Sequence, residues 1–229
     1  MPITRPIVRS IARAITNSIP GDNVVQRFFT DLSSVLTQHY TIPAWTATGD
    51  FTCTSLIYFD GSGDLVVQGN SFNTNNRLLI SGSGEASLRC GSGTTIFSGL
   101  GKVAPNTLHM IESGRVGSTG FVKLNGVQIA SGNVGTATTT VNAVNQNGNN
   151  YGSGIIADLS LTEAGGDNRS YAIDEDLSTT STIVDSVGGQ DGTAVNIVSS
   201  DLYQFDGTVS PNTWANQNPP FNVIDVAGT

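Results

Sequence analysis

The stretch from Asn106 to Gly132, NTLHMIESGRVGSTGFVKLNGVQIASG, constrains the fold more than any other part of the chain. Leu108, Met110 and Glu112 alternate with His109 and Ile111, and Gly114 and Gly117 to Gly120 then supply turn material. A second alternating run follows over Phe121-Val122-Lys123-Leu124, so the pair reads as a β-hairpin. Asn125-Gly126 then separates this run from Val127-Gln128-Ile129-Ala130. Asn-Gly is the dipeptide that best tolerates the two positive φ angles of a type I′ turn. The expectation is three consecutive antiparallel strands, a meander.

The surrounding sequence keeps this rhythm. Phe51–Phe59, Leu65–Gln68, Arg77–Ile80, Ala86–Cys90, Thr94–Phe97 and Gly154–Leu161 are short strand-like runs separated by Gly, Ser, Asn and Asp. Tyr40–Ala47, interrupted by Pro43, reads as a connector and first extended segment, and 137–150 as a polar Thr/Asn/Gly passage. Seven or more short strands at this spacing indicate a sandwich. Only 12% of the 229 residues are charged, and 38% are hydrophobic, enough for one β core with additional segments around it.

His-Met-Ile-Glu at a strand end, a short glycine-rich turn, and Leu124-Asn125-Gly126 before a further strand resemble the central hairpin of laminin-G-like domains in the concanavalin A-like superfamily. The resemblance implies a mainly β fold, an antiparallel jelly-roll sandwich of concanavalin A-like type. Residues 163–209 carry short apolar pieces between polar turns. They resemble the tails that follow such domains in phage structural proteins, which implies a β extension packed beside the sandwich. The leading repeat is similar to the arginine-spaced N-termini of phage fibre and tail proteins.

That repeat is Ile3-Thr4-Arg5-Pro6, Ile7-Val8-Arg9-Ser10, Ile11-Ala12-Arg13-Ala14 and Ile15-Thr16-Asn17-Ser18. On a helix Ile7, Ile11 and Ile15 form a stripe with Arg9 and Arg13 on the other side. Pro20-Gly21 stops it, and Asp22 caps a second predicted helix to about residue 38. There Val25, Phe28, Leu32, Val35 and His39 fall at heptad a and d positions, with Phe29 and Leu36 widening the face. Two heptads are too short to stand alone, so the stripe is expected to be buried, with self-association ahead of packing on its own β domain. A membrane-surface helix is the lesser alternative.

Four domains are therefore expected: a helical assembly arm over 1–39, the jelly-roll sandwich over 40–162, the β extension over 163–209, and an extended C-terminal strap over 210–229. The expected oligomerisation residues are Ile7, Ile11, Ile15, Val25, Phe28, Leu32 and Val35.

Charge divides the chain unevenly. Residues 1–27 hold Arg5, Arg9, Arg13 and Arg27 against Asp22, a balance of +3. With −8 overall, the remainder carries −11. An acidic body argues against nucleic acid as its partner, while the basic arm suits an acidic neighbour, including another copy. No apolar run of 18 residues suggests a membrane span, and the interspersed arginines leave no apolar core of a secretory signal. Cys53 and Cys90 read as two buried thiols ahead of a disulfide, and the redox compartment stays open.

The chemistry-bearing residues point away from catalysis. Asp60-Gly61-Ser62-Gly63-Asp64 looks like a calcium loop, but Leu65 and Ser71 stand where an EF-hand needs Gly and Glu, so a hairpin turn is expected. Asp174-Glu175-Asp176 reads as a solvated acidic loop rather than a glycosidase pair. His39 and His109 have no partner at metal-ligand spacing, and no Gly-x-Ser-x-Gly elbow or phosphate loop occurs. No enzyme, metal or cofactor is expected.

The sequence reading is a phage virion component (tail fibre, spike or decoration protein), a homo-oligomer with trimer as the leading subunit number, in contact with other virion proteins. The alternative is a glycan-binding module for host-surface attachment, with Trp45, Tyr151, Trp214 and Asn147 as candidate contacts.

Overall fold

The computed structural model describes residues 27–30, 32–173, 175, 177, 180–197, 202–205 and 223–225. It is a mainly β protein in which antiparallel ladders form two large sheets, and no helix occurs among the described residues.

The first sheet has seven strands. Its path runs β10 (Val127–Asn133), β9 (Thr119–Leu124), β8 (Thr107–Val116), β3 (Phe51–Phe59), β15 (Leu159–Glu163) and β16 (Arg169–Tyr171), with β14 (Ile155–Ile156) also on β3. The second has eight, in the order β17 (Thr182–Ile183), β18 (Gly192–Val195), β2 (His39–Ala47), β11 (Thr139–Val144), β4 (Leu65–Asn70), β5 (Asn73–Ile80), β6 (Ala86–Arg89) and β7 (Ile96–Phe97). A short hairpin, β12 (Gln146–Asn147) and β13 (Asn150–Tyr151), follows β11. β1 (Arg27–Thr30), β19 (Leu202–Phe205) and β20 (Val223–Asp225) form a separate small sheet.

One apolar cluster joins the two large sheets. Phe51, Ile57 and Phe59 of β3, Ile111 of β8 and Val122 of β9 meet Trp45 of β2, Leu65 and Val67 of β4, Leu78 of β5 and Val141 of β11. Trp45 stands edge-on to Phe51 across the sandwich, with ring centroids 5.8 Å apart. Its indole N–H donates to the Asp167 carbonyl, so the buried polar end is satisfied.

The Asn125-Gly126 turn forms as its sequence demands, with φ of 51° and 83°. The hairpin before it differs from expectation: β8 continues through Gly114 to Val116, and the turn is confined to Gly117-Ser118. Gly114 is held in the strand by pairing with Thr52 and Phe121, and only glycine fits there because a Cβ would meet the Phe51 carbonyl at 2.2 Å and the Phe121 ring at 2.8 Å. The extra residues carry Arg115 into the interior, 1% exposed. Its guanidinium donates to the carbonyls of Ala137, Thr48 and Gly49 and lies 5.5 Å from the Phe51 ring centroid. That guanidinium therefore ties the β2–β3 turn to the entry of β11.

Three further expectations are corrected. The predicted helix to residue 38 does not form over its described part: Arg27–Thr30 is strand β1, paired with β19, and residues 34–37 are a turn. The apolar spacing is overridden by tertiary partners. Leu32 exchanges backbone hydrogen bonds with Gly154, and the Ser33 and Ser34 N–H groups donate to Gln38 Oε1 and Ser153 Oγ rather than to a helical turn. The predicted helix over 3–19 lies outside the described residues.

Second, the polar passage 137–150 contains β11, a central strand, whose Thr139, Val141 and Ala143 are buried. Third, β16, β17 and β18 hydrogen-bond into the two large sheets, where residues 163–209 were expected beside the sandwich. Arg169 of β16 fixes that join. It binds Asp167 Oδ2 through Nε and Nη2, at 2.9 and 2.6 Å, and donates to the carbonyls of Pro43 and Ala44 in β2.

Cys53 and Cys90 are buried free thiols. Burial pushes both thiols above the ordinary cysteine range. No helix among the described residues is long and apolar enough to cross a membrane.

Candidate functional site

Three turns distant in sequence meet where the chain enters the sandwich. Leu32 N–H donates to Gly154 O at 2.9 Å and Gly154 N–H returns to Leu32 O at 3.0 Å, which fixes the entering segment beside β14. Gly154 has φ of 134°, and a Cβ there would lie 2.6 Å from the Tyr58 carbonyl, so only glycine permits this approach. Ser153 N–H donates to the Asp64 carbonyl at 2.7 Å, which joins the same point to the β3–β4 turn.

Between these turns lies a cleft of about 290 Å³ lined by Leu32, Ser33, Ser34, Val35, Asp60, Ser62 and Ser153. Ser153 Oγ accepts from Ser34 N–H at 3.1 Å and donates to Ser34 Oγ at 3.2 Å. Asp60 Oδ1 accepts from Ser62 N–H at 2.9 Å and from Ser62 Oγ at 2.8 Å, an Asx turn that presents the carboxylate at the cleft wall. Four hydroxyls and one carboxylate make the lining rich in acceptors. Val35, 88% exposed, adds an apolar rim, and its neighbour Leu36 is 53% exposed.

The expected site residues are dispersed. Leu32 is 2% exposed and packs in its own subunit's core, whereas Val35 faces solvent. Ile7, Ile11, Ile15 and Val25, and the side chain of Phe28, lie outside the described residues. Trp45 is wholly buried between the sheets and Asn147 is 1% exposed, so neither offers a face to a glycan. Asn147 Nδ2 donates to the Asn76 carbonyl. Tyr151 is half-buried, 5.3 Å from the His39 ring, and its hydroxyl accepts from Gln146 Nε2. Trp214 lies outside the described residues.

The Asn-rich run is thus a hairpin folded onto β4, not an open loop. Gly148 N–H donates to Asn70 O at 2.9 Å and Asn145 N–H to Val66 O at 2.8 Å. His39 Nδ1 donates to the Thr37 carbonyl and His109 Nε2 to the Ala104 carbonyl. Among the described residues no group of three His, Cys, Asp or Glu side chains is placed to hold a metal ion. Sequence reasoning missed the cleft because its serines come from three separate turns, and serine in a turn carries no signal of its own.

The fold and cleft define a two-sheet antiparallel β protein with an acceptor-lined recess beside its entering segment. No protein-family model matches the chain, and no curated protein matches it. Among solved structures, the native heptameric SAP-like pentraxin of Limulus polyphemus is similar over 62% of this chain and 77% of that one, at 12% identity and a TM-score of 0.42. The enzymatically active domain of tailspike protein 2 of bacteriophage CBA120 is similar over 66% of this chain, at 16% identity and a TM-score of 0.37. The full-length tailspike protein 2 gives 16% identity and a TM-score of 0.34. The matched region spans 31% of the first tailspike chain and 27% of the second. These likenesses are partial, and the architecture rests on the sheet topology itself.

Proposed function

We propose that the protein is a structural component of a phage virion, of tail fibre, spike or decoration type, whose two chain ends tether a jelly-roll sandwich of concanavalin A-like kind to neighbouring copies. One observation carries the reading: β1 near the N-terminus and β19 and β20 near the C-terminus share one small sheet apart from the two large ones. The segments that flank the sandwich are therefore paired with each other, which supports a reading in which both ends tether at one place. Val35 and Leu36, exposed two and three residues after Ser33 in the same entering segment, supply apolar surface there. The basic residues of the arm and the acidic remainder supply charge of opposite sign for contact between copies.

In this reading Ile7, Ile11, Ile15, Val25, Phe28 and Val35 lie in contacts between subunits, with three subunits as the first expectation and other virion proteins as further neighbours. Leu32 is left out of that set because it completes its own core. No observation favours the glycan-attachment alternative, since Trp45 and Asn147 are covered.

The test compares the full chain with a chain beginning at Arg27, by light scattering over a concentration series. The reading expects the full chain to associate and the shortened chain to stay folded with weaker association. Equal masses for the two would remove the arm from the account.

A further inference from the structure

We infer that Arg77 and Arg89, side by side on the outer face of the eight-stranded sheet, form a binding site for a phosphate dianion, free or as a monoester. The inference does not depend on the assembly reading above. Placement, charge and the way the two side chains are held support it.

Arg77 of β5 and Arg89 of β6 are direct cross-strand partners. The pairs on either side of the alternation, Leu78 with Leu88 and Ile80 with Ala86, belong to the core, so both arginines lie on the opposite face of the sheet. Directly opposed side chains start about 4.5–5.5 Å apart, close enough for two guanidinium groups to share one ligand. Leu79, Ser87 and Phe97 form the next row on that face, and Phe97 is 58% exposed.

Like charges set directly opposite each other destabilise a sheet. This chain has ample means to avoid that: beyond residue 27 it holds 17 of its 18 acidic residues and six of its ten basic ones. Lys123 takes Glu112 as its partner and Arg169 takes Asp167. Among the described residues Arg77 and Arg89 take no acid. Glu85, the acid just before β6, stands four residues from Arg89, about 13 Å along an extended chain. Two adjacent cations are thus left for a partner that brings negative charge.

Both side chains are half-buried and held at Nε. Arg89 Nε donates to the Gly93 carbonyl at 3.2 Å, and Arg77 Nε is covered with no acceptor. No hydrogen bond among the described residues uses the terminal Nη groups of either arginine, so these are the donors left for a ligand. Forks held in this way lose little freedom on binding. A carboxylate brings one charge and two oxygens, which a single fork satisfies. A phosphate monoester carries about −1.5 to −2 at pH 7 with three acceptor oxygens, which matches two forks and two charges.

The experiment titrates the full chain with inorganic phosphate by isothermal titration calorimetry at constant ionic strength, with acetate and phenyl phosphate as comparison ligands. Variants are Arg77→Gln, Arg89→Gln, Arg77→Lys and Phe97→Ser; circular dichroism confirms that each is folded. Thermal unfolding with and without phosphate gives a second readout.

The expected result is one phosphate per chain, bound about tenfold more tightly than acetate and about tenfold more weakly in each glutamine variant, with Arg77→Lys between because it keeps the charge and loses the fork. Phosphate should raise the unfolding temperature of the parent and not of the glutamine variants. Phenyl phosphate binding more tightly than phosphate, with the difference lost in Phe97→Ser, would assign the site to an ester; equal binding would assign it to the free ion. A parent chain that binds no phosphate would overturn the inference. So would phosphate binding of unchanged strength in both glutamine variants, or acetate binding as tightly as phosphate. None of these failures bears on the assembly reading.

Discussion

Replacing Arg115 by Ala tests the most unusual element of the interior. Its guanidinium is 1% exposed and its hydrogen bonds go to the backbone carbonyls of Ala137, Thr48 and Gly49, the last at 2.9 Å. Truncation leaves those carbonyls facing a cavity, each with a desolvation cost of about 1–3 kcal/mol when unsatisfied. Part of that loss is offset because the variant no longer desolvates a cation. Its partners are neutral carbonyls, so no unpaired charge is left behind, and the unsatisfied acceptors together with the cavity set a cost of about 3–5 kcal/mol, with a value near 4 expected here. With a urea slope of about 2–3 kcal/mol per molar, the unfolding midpoint falls by about 1.5 M. Arg115→Met, which fills the space without the donors, should lose about half as much. Urea unfolding followed by tryptophan fluorescence reads the change, since Trp45 lies between the sheets beside Phe51. An Ala variant within about 0.5 kcal/mol of the parent would refute the view that Arg115 ties the β2–β3 turn to β11.

Burial pushes the Asp185 carboxyl up, but the N–H groups of Ser170, Gly188, Val187 and Gln190 outweigh it and hold the group below the ordinary carboxylate range. The unfolded chain therefore takes up this proton first as pH falls: the stabilisation is complete above about pH 4 and is lost as pH falls through the folded value. Asp185→Asn should cost about 1–3 kcal/mol at pH 7 and flatten the acid limb of a stability-against-pH curve; an unchanged limb would contradict this. Gly69→Ala should dislodge the 145–152 hairpin, because the new Cβ would meet Gln146 O at 2.0 Å; proteolysis between Gln146 and Tyr151 should become fast, and a resistant variant would show that the hairpin is not packed there. Cys53 and Cys90, buried and with raised thiol pKa values, should react with a thiol reagent only on unfolding. Reaction of the native protein within minutes would contradict their burial.

The parts of the fold that could be read from the sequence are those set by local backbone chemistry. Asn125-Gly126 demands positive φ at both positions and obtains it, and the alternation of Phe51, Cys53 and Ile57 places β3 without reference to its neighbours. The errors arise where tertiary partners decide. Phe28, Leu32 and Val35 have helical spacing, but Leu32 is fixed by Gly154, and the turn after it is closed by Gln38 and Ser153, 119 residues from Ser34. β11 escaped notice because Thr139 and Asn142 look like loop residues. Their burial follows from the strand's place between β2 and β4, which local composition does not encode. Trp45 and Asn147 look like ligand contacts for the converse reason: aromatic and amide side chains serve cores and hairpins as readily as surfaces, and here Trp45 spans the sandwich while Asn147 faces β5. The cleft was invisible because it is a property of three turns and not of any one.

The account stands on association of copies through the chain ends, and the mass of the intact protein by native mass spectrometry tests it most directly. The account predicts a species of about 71 kDa, three times the 23.8 kDa chain, that dissociates when ionic strength rises in the solution before transfer. A single species at the mass of one chain, at every concentration sampled, would contradict it.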